Sequence, residues 1–204
     1  MRYWYDTEFI EDGKTIDLIS IGIVAEDGRE YYAQSVEFDH RKASDWVKEN
    51  VLAHLSICSW ANVTIEGIAG LYRTDKGYHK GSGGQCIDQQ RGRIHTCPWR
   101  TRKQMKADIL SFMDVEAYGT PELWAYYADY DHVAFCQLFG TMMDLPQGFP
   151  MYTRDIKQWA DELDVSQLPE QEKDEHNALA DARHNRVMWE HLESVEAKLW
   201  KDLR

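Results

Sequence analysis

The stretch RYWYDTEFIEDGKTIDLISIGIVAEDGREYYAQSVEF, residues 2–38, decides the fold. Arg2 to Asp6 is rich in Tyr and Trp, and Thr15 to Val24 is rich in Ile and Leu. Between them Glu11-Asp12-Gly13-Lys14 is a turn signal, so the two runs read as a hairpin. Arg29 to Phe38 follows the Asp27-Gly28 turn and alternates enough to be a third strand, antiparallel to the second.

Outward from this meander the pattern turns helical. Ala43 to Leu55 sets Trp46, Val47, Val51, Leu52 and Leu55 at helical spacing, with Ser44 or Asp45 as cap. Ser56 to Pro98 loses periodicity and gathers glycines, which marks an inserted arm at about 56–98, too long for an ordinary connection. Order returns with a helix over Arg102 to Val115 and a buried strand from Leu123 to Tyr127. A helix from Asp131 to Met143, a short strand at Met151 to Thr153 and a helix through Ile156, Trp159, Ala160 and Leu163 come next. The tail helix runs from His176 to about Leu203, with a break near Ser194. Hairpins first and strands alternating with helices afterwards predict an α/β fold, a mixed sheet covered by helices on its faces.

The chain's 204 residues, 43% hydrophobic and 28% charged, suit one soluble globular domain, residues 1–204, and exclude a disordered chain. The apolar runs Leu18 to Ala25 and Leu123 to Ala128 fall far short of the ~20 residues that cross a bilayer. The first residues lack a secretory signal's apolar core, and four cysteines without a CxxC pair suit a reducing compartment, so a cytoplasmic location is expected. Net charge is −12, yet Leu71 to Lys106 carries nine basic and two acidic residues. Within it Arg91, Arg93, Arg100, Arg102 and Lys103 are placed to track a nucleic-acid backbone, or to be a solvated loop. His79, Cys86, His95 and Cys97 offer zinc-ligand types, but their spacings match none of the usual paired patterns.

Four carboxylates carry the chemistry. Asp6 and Glu8, two apart at the end of the first strand, point to one face; Asp131 follows the buried strand; Asp181 lies in the tail helix. Such a cluster is costly without cations, and two divalent metals holding the attacking and leaving oxygens of a phosphodiester are what it suits. Hard oxygen donors favour Mg2+ or Mn2+. His176 stands at the entry to the tail helix, and histidine is the residue type suited to act as general base for the attacking water near neutral pH. Tyr126, Tyr127, Trp124 and Trp159 have faces that can stack on bases, although core packing is their more common use.

Asp6-Thr7-Glu8-Phe9, Tyr127-Ala128-Asp129-Tyr130-Asp131-His132 and His176-Asn177-Ala178-Leu179-Ala180-Asp181 together resemble the three motifs of the DEDDh group of 3'-5' exonucleases, the superfamily of RNase T, oligoribonuclease and proofreading subunits. Tyr5 through Phe38 and Leu123 through Gly140 are similar to the small mycobacterial 3'-5' exoribonuclease family. The resemblance implies an RNase H-like fold, two Mg2+ or Mn2+ ions, and release of nucleoside 5'-monophosphates from the 3' end of single-stranded RNA or a 3' overhang. By motif matching Asp6, Glu8, Asp131 and Asp181 become metal ligands and His176 the base. Phe9, Thr7, Glu8 and His176 become contacts to the terminal nucleotide. Asp129 is an alternative to Asp131, and the Tyr-Asp-His context favours Asp131. The resemblance also implies a homodimer. Rival readings are a DNA or short-oligonucleotide exonuclease, and a nucleotide-binding module without turnover.

Overall fold

The computed structural model describes residues 1–56, 98–202 and the backbone of 85–88 and 93–96. The arm expected at 56–98 falls largely outside these residues, as do its side chains, including His79, Cys86, His95 and Cys97 and the basic Arg91 and Arg93. Within it, Gln85–Asp88 and Arg93–Thr96 pair as an antiparallel two-stranded sheet.

Among the described residues the main sheet has six strands. In chain order they are β1 Arg2–Glu11, β2 Ile16–Ala25, β3 Glu30–Ser35, β6 Trp99–Arg100, β7 Glu122–Ala125 and β8 Arg154–Asp155, with β4 and β5 the separate pair above. The spatial order is β6-β3-β2-β1-β7-β8. β1, β2 and β3 form the antiparallel meander read from the sequence. β6 joins β3, β7 joins β1 and β8 joins β7, all in parallel, which makes the sheet mixed. Asp12 builds the first turn by accepting the backbone N–H groups of Lys14 and Thr15, and Gly13 supplies the left-handed φ of 79°.

Helices cover both faces, as expected. They are α1 Asp45–Asn50, α2 Arg102–Phe112, α3 Val115–Tyr118, α4 Asp129–Gln137, α5 Ile156–Glu162 and α6 Ala178–Asp202. The strand period of two sorts their partners. Tyr3, Tyr5, Ile21, Ile23 and Leu123 pack against Met105 and Ile109 of α2 and Phe135 of α4. Trp4, Val24 and Trp124 face the other way, onto Ile156 and Ala160 of α5 and Ala182, Trp189 and Leu192 of α6.

Several boundaries differ from expectation. β1 continues to Glu11, so Asp6 and Glu8 lie inside the strand; pairing with β2 carries it past its apolar run, with a register shift between Glu8 and Phe9. The helix expected to Leu55 ends at Asn50 and gives way to a tighter 3-10 turn, Leu52–His54. The helix expected to Met143 ends at Gln137, because Gly140 adopts φ 130°, and a separate 3-10 turn spans Met142–Asp144. Pairing with β7 begins only at Arg154, so the short strand lies beyond Met151 to Thr153. α6 runs unbroken past Ser194, whose hydroxyl donates to the His191 carbonyl and so stays satisfied inside the helix.

Among the described residues no helix is long and apolar enough to cross a membrane. The two ends of the arm are tied together: Trp99 Nε1 donates to the Ser56 carbonyl at 2.9 Å, and Ser56 N–H donates to Gln34 Oε1 at 2.9 Å. Arg100 and Arg102, two of the basic residues singled out in the sequence, pair with Asp108 and Asp17 respectively. Lys103 is exposed.

Candidate active site

β1 extends beyond the end of its parallel neighbour β7, which stops at Ala125. The flank of β1 from Tyr5 onward therefore has no strand beside it, and a cleft of about 340 Å³ opens there. Clefts at the carboxyl ends of parallel strands are where open α/β sheets place their ligands. Asp6, Thr7, Glu8, Phe9, Tyr126, Tyr127, Tyr130, Asp131, His176 and Asp181 line it, and none of these is Lys or Arg.

Alternation along β1 directs each side chain. Asp6 and Glu8 share the face covered by α6, and Thr7 points to the α4 side. There the backbone N–H and the hydroxyl of Thr7 both donate to Asp131 Oδ1, at 2.8 and 2.6 Å. Asp131 thus takes the hydrogen bond that β7 no longer offers, and its position in the first turn of α4 holds it over the cleft. Asp131 is only 6% exposed, whereas Asp129 is exposed and does not line the cleft. Thr7 is buried, with its hydroxyl committed to Asp131.

The opposite wall is the start of α6. Asn177 caps it by accepting the Ala180 N–H at 3.2 Å. His176 precedes the cap in a left-handed conformation, φ 64°, so the helix begins at Ala178 and not at His176 as expected. Such a backbone costs of order 1–3 kcal/mol in a residue with a β-carbon and persists where surroundings enforce it. Here it turns the imidazole toward the strand: one ligand atom each from Glu8, His176 and Asp181 lies within 4.8 Å of the others. Phe9 stacks on Tyr130, ring centroids 5.8 Å apart at 14°.

Four residues that shape the site carry no motif signal. Trp46 of α1 sets its ring edge-on to His176 at 4.8 Å. Asn185, buried on α6, donates to the Tyr5 carbonyl at 2.9 Å, next to Asp6. Gly22 lies opposite Asp6 on β2. Gln171 Nε2 donates to Asp181 Oδ1 at 2.7 Å. Of the aromatic residues expected to serve the core, Trp124 does so; Tyr127 is 62% exposed at the cleft, with a left-handed backbone as its local signature.

Among the described residues the cleft gathers carboxylates and no Lys or Arg, and its electrostatics follow from that. Burial, and then the carboxylates of Asp131, Glu8 and Asp181, push Asp6 far above the usual carboxylate range. Burial followed by Asp181 and Asp131 lifts Glu8 to about 8. Burial raises Asp131 to about 7 against the two bonds from Thr7, and burial likewise raises Asp181. Four carboxylates with hard oxygen donors, brought to one cleft with no Lys or Arg among its described lining residues, fit a divalent cation, with His176 near enough to join them.

A mixed α/β sheet with a carboxylate-lined cleft able to hold a divalent cation is the class that fold and site define. Residues 85–192 match the family model described as the 3'-5' exoribonuclease Rv2179c-like domain. Two Mycobacterium tuberculosis proteins are each 40% identical to the chain over 183 residues, 90% of this chain and 88% of the relative. They are 3'-5' exoribonuclease Rv2179c of strain ATCC 25618 / H37Rv and 3'-5' exoribonuclease MT2234.1 of strain CDC 1551 / Oshkosh. The chain belongs to this Rv2179c-like family.

Proposed function

We propose that the protein is a 3'-5' exoribonuclease of DEDDh type with an RNase H-like fold, acting on single-stranded RNA or 3' overhangs and releasing nucleoside 5'-monophosphates. One observation carries the reading: Glu8, His176 and Asp181 converge within 4.8 Å beside Asp6 and Asp131, from segments far apart in the chain. The names of the two mycobacterial relatives support RNA as the substrate. Residues 1–204 act as one exonuclease domain with an inserted arm, in a cytoplasmic homodimer.

Asp6, Glu8, Asp131 and Asp181 would hold two Mg2+ or Mn2+ ions, which supply positive charge for the attacking and leaving oxygens of the phosphodiester. The chain's own residues do the rest. A ring nitrogen of His176 takes the proton of the attacking water, and the Trp46 ring keeps the imidazole plane from swinging. Thr7 holds Asp131 through two bonds to one oxygen. The Phe9–Tyr130 stack walls the terminal nucleotide, and the exposed rings of Tyr127 and Tyr130 offer faces for bases without reading sequence.

The test is incubation of the pure protein with 5'-labelled RNA and matching DNA, in Mn2+, Mg2+ or chelator, beside Asp6→Ala. The expected result is an RNA ladder shortening from the 3' end that needs metal and disappears in the variant. Shortening that survives chelator or the substitution overturns the reading, and preferential shortening of DNA overturns the RNA assignment.

A further inference from the structure

A second cleft, about 620 Å³, adjoins the first across Asp6, Tyr126, His176 and Asp181. Its outer wall is the segment Ser166 to Gln171, which crosses one face of α6 and is fastened there at two points. His184 Nε2 lies 3.0 Å from the Pro169 carbonyl oxygen, to which it donates. Gln171 Nε2 donates to Asp181 Oδ1 at 2.7 Å and to the Lys173 carbonyl at 3.2 Å. Asp181 and His184 are three apart, one helical turn, so both fastenings lie on the same stripe of α6.

The orientation of the Gln171 amide follows from its partners. Both acceptors are oxygens, so the nitrogen must face them and the amide cannot be turned over without setting oxygen against oxygen. The donor's orientation is therefore fixed, and it restrains Asp181 Oδ1. A carboxylate oxygen has two lone pairs, so a bond from an amide fixes its direction without withdrawing it from a cation. The donor is also neutral and leaves the negative charge of the cleft undiminished.

We propose that Gln171 is a positioning residue for the cation site: its carboxamide, braced on Lys173, aims the Asp181 carboxylate at Glu8 and His176. The inference rests on the cation-dependent reading given above. Partners that orient a metal-binding carboxylate are worth about 10–100-fold in metal affinity or activity. Gln171→Met keeps the length and half-buried packing of the side chain and removes the donor.

The experiment is calorimetric titration of the full chain and of Gln171→Met with Mn2+ alone. The parent is expected to bind Mn2+ and the variant to bind it at least about 10-fold more weakly. The rise in melting temperature produced by a fixed Mn2+ concentration is expected to shrink in step. Equal Mn2+ affinity in parent and variant, with or without a change in metal-free melting temperature, overturns the positioning role and leaves the exonuclease reading standing. A parent that binds no Mn2+ overturns both.

Discussion

Gly22 lies so close beneath the first turn of α6 that a β-carbon on it would stand 2.2 Å from the carbonyl oxygen of Ala178. Gly22 is also the residue opposite Asp6 in the β1–β2 register. The missing side chain is what lets the helix carrying Asp181, and the cap that turns His176, settle against the strand carrying Asp6 and Glu8. The obstacle to any larger residue is backbone, which cannot rotate aside.

Gly22→Ala is therefore expected to destabilise the protein by about 3 kcal/mol, the upper end of overpacking costs. Because relief comes only by lifting α6, Mn2+ affinity should fall together with stability. Urea unfolding and a metal titration check it; unchanged affinity in a folded variant would show that α6 does not depend on this contact.

Thr7→Val keeps the shape of a buried side chain and removes one of the two donors to Asp131. The expected loss is about 1.5–3 kcal/mol of stability, the scale of a hydrogen bond to a charged group. The activity loss is about 10-fold or more, since Asp131 is then held by the backbone N–H alone. Denaturant melts and initial rates on RNA read the two effects separately.

The metal-free protein should lose stability as pH rises. Folded Asp131 keeps its proton to about 7 and Glu8 to about 8, whereas unfolded carboxylates release theirs near ~4. Between these limits the folded chain binds more protons than the unfolded one, so the contribution is complete below about pH 4 and lost as pH passes through about 7 and 8. Carboxylates held low by partners, such as Asp39 beside Arg41 at about 2, act below that window. Melting temperatures in chelator are expected to fall from about pH 5 to about 8 more steeply in the parent than in Asp131→Asn, with Mg2+ reversing the loss. Parallel slopes for the two proteins would count against the cluster as the cause.

Trp46→Ala removes the ring edge against His176 from a side chain that is already 54% exposed. Stability should change little, while kcat drops by roughly 3–10-fold, the kinetic equivalent of an aromatic contact worth about 0.5–1.5 kcal/mol. Trp46→Phe should recover part of the loss. A variant whose melting temperature falls sharply while kcat holds would assign Trp46 to packing.

Much of this was legible in the primary structure because its signals are local. Alternation and turn chemistry in residues 2–38 define the meander, and helical spacing of apolar residues finds α2, α5 and α6. Asp6, Glu8, Asp131, His176 and Asp181 stand out by type and order, and the structure brings all five to one cleft. What was misread depended on partners. β1 outlasts its apolar run because β2 pairs with it, and α4 stops early because Gly140 turns at φ 130°.

The sequence by itself determined the sheet's first three strands, the helical faces and the acidic set, since each rests on periodicity or on chemistry carried by the residues themselves. Only the tertiary structure decided that Thr7 serves Asp131, and that Trp46 and Gln171 reach His176 and Asp181. These are contacts between segments distant along the chain. Their geometry is set by where β7 ends and how closely α6 can approach Gly22, and no local pattern encodes either distance.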